Sequence, residues 1–182
     1  MTKYQTVNFT VFALALIATV LMLGMHSAQA LDNNLNITGN LVAEPCTIDT
    51  SKPLEVDFKT VILKGLYSEG QSPAVPFNVE LKACDTAMGQ SASLTFKGTE
   101  SQALPGLIVA EGAGSSGIAI GMEQPDGTAL PFNQATPAYA LQDGTTTIAL
   151  MAYVKAEPQA IASQTLTPGA FTATATFEVA YP

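Results

Sequence analysis

Apolar and polar residues alternate along most of the chain with the period of a β-strand, not of a helix. Leu54, Val56 and Phe58 alternate with Glu55, Asp57 and Lys59, and Phe77, Val79 and Leu81 with Asn78, Glu80 and Lys82. Ala92, Leu94 and Phe96 alternate with Ser93, Thr95 and Lys97. Side chains two residues apart share one face of a strand, so each run predicts a half-buried strand. Ile118, Ile120 and Met122 continue the theme, and the denser run Ile148 to Val154 suits a central strand. Turn signals separate these runs: Lys64-Gly65, Pro105-Gly106, Gly112 to Gly117, Pro125-Asp126-Gly127, Asp143-Gly144 and Pro168-Gly169. No stretch is convincingly helical. The pattern predicts an all-β, antiparallel sandwich or barrel in one domain, without internal repeats. Cys84 is one residue out of phase with Leu81, which predicts a kink or bulge just before it.

The two ends carry the most information. Phe171, Ala173, Ala175, Phe177, Val179 and Tyr181 fall on one face, against Thr172, Thr174, Thr176 and Glu178 on the other. This predicts a long, regular, half-buried strand at the very end of the chain, where sandwiches normally pair or protect their edges. Leu31, Leu35 and Ile37 share a face with Asn33 and Gly39, opposite a wholly polar face of Asp32, Asn34, Asn36 and Thr38. That segment is too polar to fold alone, yet it is patterned like a strand. An open groove in a sandwich one strand short leaves apolar side chains and backbone groups facing water. Covering it is worth around 25 cal/mol per Å² of apolar surface, and a strand from another chain would also supply the missing hydrogen bonds. Each extension filling a neighbour's groove makes a head-to-tail contact, which propagates as a fibre when it does not close.

Before Leu31 the sequence has a different character. Lys3 precedes an apolar run from about Phe9 to Met25, which gives way to Ser27-Ala28-Gln29-Ala30. This is the layout of a secretory signal, residues 1–30, cleaved after Ala30. The absence of a cysteine directly after that point argues against a lipid anchor. The chain has seven basic and fifteen acidic residues. Loss of Lys3 leaves six lysines against fifteen acids, a formal charge of −9 with no arginine. Scattered, outnumbered lysines exclude nucleic acid as a partner.

Cys46 and Cys84 are the two cysteines. In an oxidising compartment a pair most often forms one disulfide; two free thiols or a metal site are the alternatives, and the metal reading lacks ligands. The only histidine, His26, leaves with the signal, so Ser-His-Asp and Cys-His chemistry is not expected and neither is a cofactor. Asp49 and Asp57 read as solvated acids rather than a catalytic pair. Gly112 to Gly117 lacks the Gly-Lys-Ser/Thr ending of a phosphate loop and reads as a flexible hairpin loop. No enzyme is expected.

These residues, in this order and spacing, resemble the pilin subunits of chaperone–usher fimbriae over Thr38 to Pro182. The matching pieces are Gly39 followed by Glu44-Pro45-Cys46, then Val56 to Thr60, then Phe77-x-Val79-x-Leu81-x-x-Cys84-Asp85. Gly169 and penultimate Tyr181 frame the matching end. Leu94 to Glu100, Ala103 to Gly106, Ala152-Tyr153-Val154 and Ala173 to Glu178 point, within that family, to the minor tip-fibrillum adaptor subunits of P pili. The resemblance implies an incomplete immunoglobulin-like sandwich of about six strands. It lacks its final strand and is completed by donor-strand complementation. It implies three kinds of partner: a periplasmic chaperone that lends a strand, an outer-membrane usher, and neighbouring subunits. By the same resemblance Gly169, Phe171, Ala173, Ala175, Phe177, Val179 and Tyr181 border the groove and dock on the chaperone. Leu31, Asn33, Leu35, Ile37 and Gly39 form the donor strand, residues 40–182 the pilin domain, and Cys46 and Cys84 the family's disulfide. The implied destination is the fimbrium on the bacterial surface, reached through the periplasm. The short extension suits an adaptor and leaves open a terminating subunit; a receptor-binding adhesin is the other alternative.

Overall fold

The computed structural model describes residues 44–48 and 53–182, all within one compact unit, Leu41–Pro182. The proposed signal and the donor residues Leu31, Asn33, Leu35, Ile37 and Gly39 lie outside the described residues. Two antiparallel sheets make up the unit. The larger holds, in order, β1 (Thr47–Ile48), β2 (Val75–Cys84), β7 (Gly144–Ala156), β5 (Ile118–Glu123) and β4 (Ile108–Val109). The smaller places β3 (Ser91–Lys97) between β6 (Tyr139–Ala140) and β8 (Thr176–Ala180). Of these eight strands, β1, β4 and β6 are only two residues long.

Alternation predicts the buried faces well. Phe77, Val79 and Leu81 of β2 point into the core with Ile148, Leu150, Ala152 and Val154 of β7, the central strand. Ala92, Leu94 and Phe96 of β3 are buried on the facing side. Phe77 and Phe96 meet edge to face with centroids 6.5 Å apart, joining the two sheets. Leu81, Leu94 and Leu150 are fully buried, each such side chain contributing about 1.5–3 kcal/mol.

The expected irregularity before Cys84 is a β-bulge. Leu81 pairs with Thr146 and Cys84 with Gly144, so β2 carries one residue more than β7 across this step. Ala83 takes the left-handed conformation there, with φ 49°. The extra residue turns Cys84 back toward the core, where it forms a disulfide with Cys46. Closing this loop is worth about 4 kcal/mol on chain-entropy grounds.

Three expectations are corrected. The described residues include two short helices, α1 (Leu63–Glu69) and α2 (Pro158–Ser163). Leu63, Leu66 and Tyr67 recur at helical spacing and pack on the core, and Gly70 ends α1 with φ 77° and a bond from its N–H to the Leu66 carbonyl. Pro158 occupies the first turn of α2, where its missing N–H costs nothing. Secondly, Leu54 to Phe58 is not a strand. Val56 and Phe58 are half-buried and Glu55, Asp57 and Lys59 exposed, as alternation predicts, but Leu54 is 45% exposed against that prediction, and the segment joins no ladder among the described residues.

The third correction concerns the end of the chain, which is not one long strand. Thr176–Ala180 pair with Lys97–Ser93 of β3, whereas Thr172 pairs with Glu111 through reciprocal bonds of 2.8 and 2.9 Å. Ala173 to Ala175 pair with nothing in a ladder among the described residues. The cause lies across from them. After Gly98 the chain leaving β3 turns to the other sheet, where the Thr99 carbonyl accepts the N–H of Val109. Both peptide groups of Gly98 are held by the Asn133 side chain. The neighbour that would continue the ladder has moved away.

Candidate functional site

A groove lies between two stretches of chain that no ladder joins among the described residues. One lip is the irregular segment carrying Val56, Phe58 and Val61, which leads into Leu63 at the start of α1. The other is the C-terminal stretch, whose Phe171, Phe177, Val179 and Tyr181 are half-buried against the core. Phe58 and Phe171 approach from opposite lips, their ring centroids 6.1 Å apart. Phe177 stacks obliquely on its cross-strand partner Phe96 at 5.7 Å. Among the described residues strand β8 is an edge strand, bonded to β3 on one side only. Its outward face is polar: Thr176 and Glu178 are exposed, and Glu178 accepts from Lys97 Nζ at 2.6 Å. Ala173 and Ala175, placed by alternation on the apolar face, are exposed.

At the end nearest Gly169 the groove deepens into a cavity of about 220 Å³. Leu63 and Leu66 of α1 form one wall, and Leu166 to Gly169 with Phe171 the other. Gly169 and Gly114 lie backbone against backbone here. A Cβ on Gly114 would collide with the Gly169 carbonyl, and one on Gly169 would come within 2.8 Å of the Gly114 nitrogen. The Gly114 N–H donates to the Ala170 carbonyl at 2.9 Å. The glycine-rich run 112–117 is thus a cradle for the start of the C-terminal stretch, a role that its composition as a loop does not disclose. Gly114→Ala is expected to cost about 1–3 kcal/mol through overpacking, read as a lowered thermal midpoint; an unchanged midpoint would show that the apposition is loose.

The opposite end is tied down at the disulfide. Pro45 is fully buried, and its carbonyl accepts the Asp85 N–H at 2.8 Å. Tyr181 donates its hydroxyl to the Cys46 carbonyl at 3.2 Å. Burial pushes the Tyr181 hydroxyl above its ordinary pKa and the Glu44 carboxylate adds to that, while the bond to Cys46 opposes them. The phenol therefore stays a neutral donor at physiological pH. Glu44-Pro45-Cys46, Cys84-Asp85 and Tyr181, far apart in sequence, converge on one spot. Among the described residues no group of three or more His, Cys, Asp or Glu side chains is placed to hold a metal.

Two antiparallel sheets packed together, with the final strand at a sheet edge among the described residues, place the protein in the class of immunoglobulin-like sandwiches. Comparison with known proteins agrees. The chain matches the family described as "Fimbrial protein" over residues 35–182, and it belongs to that family. It is 35% identical to Protein PrsK of Escherichia coli and 32% identical to the Fimbrial adapter PapK of Escherichia coli, in each case over 90% of this chain and 96% of the relative. The P pilus rod subunit PapA superposes with a TM-score of 0.65 at 26% identity, covering 76% of this chain and all of that one. A chaperone–usher pilus structure superposes at 0.64 and 25% identity, covering 85% and 97%. The chain is a fimbrial subunit with the immunoglobulin-like fold of chaperone–usher pilins.

Proposed function

We propose that the groove between residues 53–63 and 169–181 receives a β-strand from another protein. A periplasmic chaperone lends that strand first, and the extension of a neighbouring subunit replaces it at the outer-membrane usher. The observation that carries this reading is the edge of β8. Its apolar side chains are half covered and, among the described residues, its outer backbone edge bonds to no other strand, so an added strand would cover the first and pair with the second. Leu31, Asn33, Leu35, Ile37 and Gly39, freed by cleavage after Ala30, are the strand this subunit donates in turn. Likeness to a fimbrial adapter favours a minor, joining position in the fibre over a place in the rod. The work of the molecule is then mechanical linkage at the cell surface, not catalysis.

Deleting residues 31–38 separates giving a strand from receiving one. The truncated subunit is expected to be captured by the chaperone as the full chain is, yet to attach to no acceptor. Normal incorporation of the deletion into fibres would refute the donor role.

A further inference from the structure

The sequence holds two Asp-Gly steps, Asp126-Gly127 and Asp143-Gly144, and all four residues are exposed. Among aspartate steps this one is the most prone to a slow, uncatalysed rearrangement. The glycine nitrogen attacks the aspartate Cγ, its proton and one carboxyl oxygen depart as water, and a succinimide ring closes. Water then reopens the ring. Opening at the main-chain carbonyl leaves an isoaspartate, whose backbone runs through Cγ and is one carbon longer. The reaction needs a carboxyl that is free to swing onto the next nitrogen and able to take up a proton before water leaves.

The two steps are restrained differently. Asp126 is fastened within its own turn, where its Oδ1 accepts the N–H of Thr128 at 2.8 Å. Asp143 is fastened from outside: its Oδ1 accepts both the N–H and the hydroxyl of Thr86, at 2.8 and 2.6 Å. Thr86 lies 57 residues away in sequence, in the turn between β2 and β3. That turn is firmly anchored. It follows Cys84 of the disulfide, and the N–H of Asp85 donates to the Pro45 carbonyl. Both carboxyls sit below their ordinary pKa, Asp126 chiefly through the Thr128 N–H and Asp143 chiefly through the Thr86 hydroxyl. Gly144 cannot be exchanged for a bulkier residue that would obstruct the attack, because its φ of 87° favours glycine. It also pairs with Cys84 across the bulge, at the first residue of the central strand. A backbone lengthened at Asp143 would enter the sheet there.

We propose that Asp143-Gly144 is a latent site of succinimide formation, and that Thr86 is the positioning residue that keeps it closed. Two bonds to one carboxylate oxygen hold the side chain toward a fixed neighbouring turn and away from its own backbone. This guard is independent of strand acceptance.

The test ages the purified protein, in the assembly in which it is recovered, for several weeks at physiological pH and body temperature. Digestion beside aromatic residues puts the two steps on separate peptides, since Phe132 and Tyr139 lie between them. The fraction of isoaspartate at each is then measured by chromatographic separation of the isomers. Thr86→Val removes the hydroxyl and keeps the N–H and the branched shape. It is expected to raise the isomerised fraction at Asp143 about three- to tenfold, the scale of one hydrogen bond, with Asp126 unchanged. Thr86→Ser, which restores the hydroxyl, should stay within about twofold of the unaltered protein. An unchanged fraction at Asp143 in Thr86→Val would overturn the guard. So would an equal rise in Thr86→Ser, which would trace the effect to a looser turn, or a parallel rise at Asp126, which would trace it to general loosening.

Discussion

Replacing Phe177 by aspartate is expected to abolish recovery of the subunit with the proposed periplasmic chaperone. The ring stacks on Phe96 and is half-buried in the floor of the groove, so the change removes an aromatic contact between neighbouring strands. It also places a carboxylate where an added strand would cover it. Loss of a buried phenylalanine costs about 3–5 kcal/mol when complete, and an unpaired charge in an apolar site adds to that. Half burial lowers the first contribution without removing the second. The measurement is co-purification from the periplasm. Glu178→Ala, one residue on and facing out, is the comparison, expected to fall within about 0.5 kcal/mol of neutral. Intact chaperone capture of Phe177→Asp would mean that this face does not meet the incoming strand.

Loss of the disulfide has the second large effect. Cys46→Ser should destabilise the domain by about 2–5 kcal/mol, a large share of the roughly 5–15 kcal/mol that holds a typical domain folded. The damage reaches past the bridge. Cys46 lies one residue before β1, its carbonyl holds Tyr181, and the preceding Pro45 carbonyl holds Asp85. Steady-state periplasmic abundance is the readout, and levels equal to those of the unaltered protein would count against a stabilising bridge.

Which side chains face the core could be read from the sequence, because alternation reports the two faces of an extended backbone. The buried faces of β2 and β3 follow it residue by residue and that of β7 does so until Tyr153, which is buried out of phase, and the phase slip at Cys84 marks the bulge. Hydrogen-bond partners could not be read, since periodicity is local and a ladder depends on what lies alongside. Leu54 to Phe58 and Phe171 to Tyr181 show the difference. Both alternate cleanly, yet the first has no ladder among the described residues and the second divides between two neighbours. The helices escaped notice because α1 is only seven residues long and contains Gly65. The groove-lining residues were legible as an apolar face. The cavity was not, because its walls come from α1, β5, β7 and two turns that only the fold brings together. The bond that the Tyr67 hydroxyl accepts from the Leu166 N–H gives no local signal, because the two residues lie 99 apart in sequence.

The division of the C-terminal stretch has a mechanical consequence. Residues 176–180 are fastened to β3 of one sheet, and Thr172 to the chain following β4 of the other. A strand laid along the whole stretch would run beside both sheets at once. Tension drawn lengthwise through such a strand loads many transverse hydrogen bonds together, in shear, and shares the force between both halves of the sandwich. Unpeeling it from one end would break the same bonds one after another. A junction of this form resists pulling along its axis far better than it resists replacement from its tip.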